Sequence, residues 1–366
     1  IVLGAGAGST IIASSTTFSG VLSGGDLTIA SGLGNDGPSV VRLKGTNSYG
    51  ATTIGAGNTL LIGEVGSGGT LGTGNVTINS GATLRFEGNN NTVGNVISGA
   101  GRLVRDGIGT TTLTAVNSYA GGTLISSGGI EIGNAGALGS GALTMTGTSS
   151  LTTAAGVSAT VTGVTIGNFA DSSISAAAGQ TLSLGGTLDF SNFASSLVFG
   201  TLNKTGTVQI GFAPATGPAT NASVRIDAGT LRLGSASDAF LLRLGGGMTI
   251  GSTGGVFLGL IGTLDLNGFA GGGVNLNGLG AITNSSATLA QFEALQNAAS
   301  TFAGTIGGGT GAISLLKSGT GALTLTGANS YTGTTSITGG SLQIGEGGTT
   351  GSLGTGNVSI AGGAQL

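Results

Sequence analysis

The chain contains no histidine and no cysteine. Their absence removes Ser-His-Asp and Cys-His catalysis, the usual zinc sites and haem ligation. Tryptophan is missing too, and aromatic residues are 4% of the 366, too few for the two aromatic girdles of a transmembrane barrel. Charged side chains are 6%, against about 25% in an average globular domain. The ten Lys and Arg are scattered, so no polybasic patch is offered to nucleic acid or anionic lipid. No apolar run reaches the ~18–20 residues of a membrane helix. A P-loop is absent as well, because Lys44, Lys204 and Lys317 each follow a residue other than Gly.

What fills the space is glycine, 80 residues of it, with 39% hydrophobic residues and only 3 Pro. A Gly-rich chain invites a reading of disorder, but disordered segments pair low hydrophobicity with high net charge. Here the mean hydropathy is positive and the formal charge is −3, so the chain has the means to bury a core. No shift in composition marks a linker, which predicts one continuous architecture over 1–366.

Self-similarity is the strongest signal, and periods of tens of residues mean solenoids or arrays. Asn47-Ser48-Tyr49 recurs as Asn117-Ser118-Tyr119 and as Asn329-Ser330-Tyr331. Between 47–84 and 329–366, at a constant offset of 282, 22 of 38 positions are identical. The middle copy is looser and three residues shorter. The best-matching units are 20–84, 94–151 and 302–366, and 152–301 diverges. Within the units apolar residues alternate, as in Leu323-Thr324-Leu325, Leu342-Gln343-Ile344 and Val358-Ser359-Ile360, the period of two that belongs to half-buried strands. Gly, Asn and Ser punctuate these runs with turn chemistry. Only Leu289–Gln296 has helix-favouring residues, and it reads as a short helix, an irregular loop or another strand.

Recurring strands with small-residue corners predict a coil whose rungs stack on equivalent rungs. The fold class is all-β, a right-handed parallel β-helix or β-solenoid. Three rungs per ~70-residue unit give roughly 16 rungs. The core is predicted at Leu43, Ile62, Val76, Ile78, Leu113, Ile132, Leu231, Leu233, Leu323, Leu325, Leu342, Ile344, Val358 and Ile360.

These residues resemble a known family, the autotransporter-associated β-strand repeat of Gram-negative passenger domains. The match is closest at Gly304-Thr305-Ile306, from Leu315 through Lys317 to Tyr331-Thr332-Gly333, and at Gly340–Gly345. A second match runs from Val96–Gly99 through Leu103-Val104-Arg105 to Tyr119–Thr123, and Gly280–Asn284 looks like the family's lead-in. The resemblance implies export to the cell surface through a C-terminal outer-membrane barrel, expected elsewhere in the full chain. Absence of Cys fits that route, since disulfides would hinder passage of an unfolded chain. The chain begins at Ile1 without a signal peptide and stops inside a repeat, so it is expected to be a segment of a longer protein.

Several residues are weighed as sites. Arg225, Asp227, Arg232, Asp238 and Arg243 are the nearest thing to a carboxylate–cation cluster of the kind that polysaccharide-cutting β-helices use, set against solvated corners with weak surface pairing. Asp26 with Gly32–Asp36 is similar to a calcium-binding nonapeptide turn, but such sites need tandem copies and one is present. Asn47, Asn117 and Asn329 beside their tyrosines form either a carbohydrate platform or, by preference, a turn in which Asn bonds backbone and Tyr covers the adjacent rung. Recurrent Thr-x-Thr pairs raise ice binding, but long regular arrays are missing from the sequence. No catalytic, cofactor-binding or metal residue is assigned. The reading is a non-enzymatic extracellular passenger, an adhesin or stalk. A fibre or sheath subunit stands second and a polysaccharide-active enzyme third. Expected partners are further copies of the chain, end to end or side by side, or a host or matrix glycan or protein, with no nucleic acid and no cofactor.

Overall fold

Short alternating runs become strands here because each strand finds its partner a turn away in sequence, not across a hairpin. The computed structural model describes residues 1–4, 9–12, 15–31, 38–167, 172–188, 196–213, 223–235, 248–250, 262–348 and 350–366. Among them there is no helix, and every pairing between named strands is parallel. The chain is an all-β parallel solenoid whose described strands make about 13 turns. The estimate of 16 assumed equal rungs, whereas successive turns differ widely. Thr230 pairs with Thr263 but Thr263 with Ala281, so the long insertions in the divergent stretch use up residues without adding turns. Two compact units are distinguished, Ile1–Phe169 and Ala170–Leu366.

In the first unit the longest ladder stacks Ser15–Phe18, Val40–Leu43, Thr59–Ile62, Thr83–Phe86, Arg102–Arg105, Thr123–Ile125 and Leu143–Met145. A second carries Ser9–Ile12, Leu27–Ala30, Thr52–Ile54, Val76–Ile78 and Ile97–Ser98. A further ladder begins only at Asn91–Val93 and continues through Thr110–Leu113, Gly128–Ile132 and Ser149–Thr153. In the second unit one ladder includes Thr207–Ala213, Thr230–Leu233, Thr263–Asp265, Ala281–Asn284 and Thr305–Gly309. Another ends with Ser300–Phe302, Ala322–Leu325 and Ser341–Ile344, and a third holds Ala270–Val274, Ala290–Leu295, Ile313–Ser318, Thr335–Ile337 and Val358–Ile360.

Exact registry puts like on like inside the coil. Ile29, Ile54 and Ile78 form one inward column, and Leu43, Ile62 and Phe86 another. In the second unit Val208, Leu231, Leu264, Ile282 and Ile306 stack in the same way. All are buried, and each buried aliphatic side chain contributes about 1.5–3 kcal/mol relative to exposure. The predicted core residues are buried with three exceptions. Ile344 is half-buried, and Val358 and Ile360 are 42% and 48% exposed, because no later rung within the 366 residues covers them. Residues 290–295 resolve as strand with alternating burial, so tertiary stacking overrides their helical preference.

Candidate functional site

The recurring Asn-Ser-Tyr places polar groups inside the coil. Asn47 Oδ1 accepts the N–H of Leu22 one turn earlier at 2.8 Å, and its Nδ2 donates to Thr70 O one turn later at 2.6 Å. Asn117 does the same between Ile97 and Ala137 at 2.8 and 2.6 Å. Asn329 joins Ile306 to Ser352 at 2.7 and 2.7 Å. Each asparagine thus ties three consecutive turns. This corrects the expected local turn: the side chain does bond backbone, but chiefly the backbone of its neighbours.

The tyrosines that follow are at most 2% exposed, so they offer no platform to a sugar. Tyr119 Oη lies 2.6 Å from Thr123 Oγ1 and Tyr331 Oη 2.7 Å from Thr335 Oγ1, while Thr52 Oγ1 donates to Tyr49 Oη at 3.2 Å. Burial raises the Tyr119 and Tyr49 pKa, with the threonine bonds opposing it. The ring of Tyr49 sits against Gly72 of the next turn, where an added Cβ would fall 2.4 Å from it, and Tyr331 meets Gly354 identically. That contact is the physical reason for the first glycine of Leu71-Gly72-Thr73-Gly74 and of its copy Leu353-Gly354-Thr355-Gly356, while the second glycine of each lies against the backbone of Ala51 or Gly333.

Sequence reasoning missed a buried cation. Arg105 occupies the inward column between Phe86 and Ile125, fully buried. It donates to Phe86 O, Gly88 O and Gly109 O at 3.0, 2.9 and 3.0 Å. Lys317, 212 residues on, is equally buried and donates to Ser318 O, Gly319 O and Gly339 O at 2.8, 3.2 and 3.0 Å. Desolvation lowers both pKa values, with nearby Asp106 opposing it at Arg105. Gly128 and Gly340, also 212 apart, take positive φ of 67° and 61° where a Cβ would strike the carbonyls of Gly107 and Gly321.

The proposed Arg/Asp cluster does not assemble among the described residues. Arg225 pairs with Asp227 at 2.8 Å, and burial raises the Asp227 pKa against the pull of that arginine. Arg232 pairs instead with Asp265 at 2.8 Å, while Asp238 and Arg243 lie outside the described residues. Burial pushes the Asp265 carboxyl up, but bonds from Ser285, Arg232 and two backbone N–H groups outweigh it and the pKa falls. Asp26 Oδ1 accepts the N–H of Ala51 at 2.7 Å, and 32–36 lie outside the described residues.

A denser charge group lies elsewhere. Arg42 pairs with Glu87 at 2.6 Å, Arg85 with Glu87 at 2.8 Å and with Asp106, and Lys44 with Glu64. A groove of about 600 Å3 borders Arg85, Glu87, Asp106 and Ser127, with Val65 and Ile108 at its rim. Among the described residues no three Asp or Glu gather as a metal site would require. A second groove, of about 640 Å3, lies over Asn91–Val93, the first strand of its ladder, and is lined by Thr46, Ser67, Asn90, Asn91 and Asn95. A column of hydroxyl residues does form: Thr10, Thr28, Thr53, Thr77 and Ser98 stack on successive turns. Asp26, Ala51 and Asn75 flank that column in sequence, so it is a single file and not a flat two-column array.

Residues 103–132 and 315–344 match the model of the passenger-associated-transport-repeat. The chain carries two such repeats. They are consistent with an autotransporter passenger. Arg105 and Lys317, Asn117 and Asn329, Tyr119 and Tyr331, and Gly128 and Gly340 all fall inside the two repeats, so the passenger repeat here is a pattern of turn-to-turn clamps. No curated protein and no solved structure matches the chain significantly.

Proposed function

We propose that the chain is a non-enzymatic part of an autotransporter passenger, displayed outside a Gram-negative cell as an adhesin or surface stalk. The observation that carries this reading is where the repeat's polar residues go. Asparagine, tyrosine and buried cation, the residue types that would do chemistry or recognition on an open face, are turned inward: asparagine and cation bond neighbouring turns, and tyrosine packs against a glycine of the next turn. A repeat built this way extends a scaffold and leaves the outer face free to vary. Low charge and a surface of Thr, Ser, Asn and Gly accord with that use. The coil is right-handed in this reading, as about 98% of parallel crossovers are. The test is an in-frame deletion of residues 94–151 from the full-length gene in its own host. Surface adhesion or cell–cell aggregation should fall while cell growth is unchanged. Equal adhesion from parent and deletion strains would remove the adhesin reading.

A further inference from the structure

We propose that the groove over Asn91–Val93 is a binding site for a neutral oligosaccharide. Elsewhere the recurring asparagines commit both ends of the amide to neighbouring turns. Three asparagines in the groove do not. Asn90 accepts the N–H of Thr110 with Oδ1 and leaves its NH2 uncommitted. Asn95 donates to Gly72 O and Gly74 O and leaves its Oδ1 uncommitted. Asn91 Oδ1 is buried with no partner, and so is Thr111 Oγ1, its register neighbour on the next turn. Buried polar atoms without partners are rare in folded proteins, and here one belongs to a residue that lines the groove while the other lies on the strand beneath it. Exposed Thr46 and Thr92 add hydroxyls at its edges.

The chemistry of that lining selects its ligand. Amides and hydroxyls present donor and acceptor side by side, which is what vicinal sugar hydroxyls require. The cation at the rim, Lys44, is paired with Glu64, so phosphate or carboxylate gains little there. A groove of about 640 Å3 falls in the usual range for small-ligand sites, about 300–1,000 Å3. An added peptide strand is disfavoured, since the free strand is three residues long and offers few main-chain bonds. Phe86, the aromatic ring lining the groove, is buried, so binding rests on hydrogen bonds and is weak for a single glycan unit.

The inference rests on the passenger reading for its use, naming the ligand class of the displayed surface, but it is tested in solution. The 366-residue chain is screened on an array of immobilised neutral glycans, and the best binder is then titrated as a soluble trisaccharide by saturation-transfer NMR. Asn91→Ala and Thr46→Val should each weaken binding about fivefold to tenfold, the effect of one or two lost hydrogen bonds. Ser80→Ala, outside the groove, should not. Circular dichroism melts confirm that each variant folds, and Asn90→Ala replaces any that does not. An array without a neutral binder, variants that bind like the parent, or a neutral peptide that displaces the sugar at equal concentration would each overturn the proposal. Loss of adhesion in the deletion strain with no glycan binding would defeat this inference and leave the passenger reading standing.

Discussion

The side-chain oxygen of Asn117 lies 2.8 Å from the backbone nitrogen of Ile97, one whole turn earlier in the coil. Its amide nitrogen reaches Ala137 O, one turn later. Asn117→Leu therefore strips partners from a buried N–H and a buried carbonyl at once. Each orphaned group costs about 1–3 kcal/mol, so urea unfolding should show a loss of about 2–4 kcal/mol, and Asn329→Leu should behave alike. A surface platform role for these asparagines would leave stability within about 0.5 kcal/mol of the parent.

Tyr119 and Thr123 form a closed pair in the core, 2.6 Å apart. Tyr119→Phe leaves the Thr123 hydroxyl unpaired and should cost about 1–2 kcal/mol. Thr123→Val alone should cost a similar amount. The double variant, with both polar atoms gone, should be more stable than the sum of the two losses allows. Additive losses in that double-mutant cycle would show that the pair does not interact.

Asp265 gives the fold an acid-sensitive point. Its pKa is lowered in the folded protein, so the unfolded chain binds the proton more readily. The stabilisation is fully present above the unfolded pKa of about 3.9 and is lost as pH falls through the lower folded value. Asp265→Asn should cost about 1.5–3 kcal/mol at neutral pH and flatten the stability curve below pH ~4. Parallel acid curves for parent and variant would contradict the assignment.

Strand positions, inward columns and the solenoid itself were legible in the sequence, because alternation such as Leu323-Thr324-Leu325 survives in every clear copy. Turn partners were not. Arg42 and Glu87 are 45 residues apart, two turns of unequal length, and no local spacing announces the pair. Arg225 and Arg232 were expected to come together by rung stacking, yet they lie on different ladders. The repeat itself conceals this. Thr53, Thr77 and Ser98 stack in turn, and backbone bonds from Ser118 and Ala120 set Ser118 over Ser98. Three turns thus take 65 residues from Thr53 to Ser118, while the sequence period from Tyr49 to Tyr119 is 70. Equivalent residues therefore land on different ladders: Thr59–Ile62 joins one and Gly128–Ile132 another. Arg105 was unreadable for another reason, since a cation in an apolar column breaks the pattern that defines the column.

Surface display is the claim on which the functional account turns, and an inserted epitope tests it most directly. The turn at Ala155-Gly156 is exposed, and a Cβ on Gly156 would meet nothing within 4 Å, so a short tag placed after Gly156 in the full-length gene should leave the rungs intact. Antibody binding to intact cells is then compared with binding after lysis. The account predicts full labelling of intact cells and loss of the tag on brief protease treatment of their surface. A tag detected only after lysis, and protected from protease until then, would contradict it.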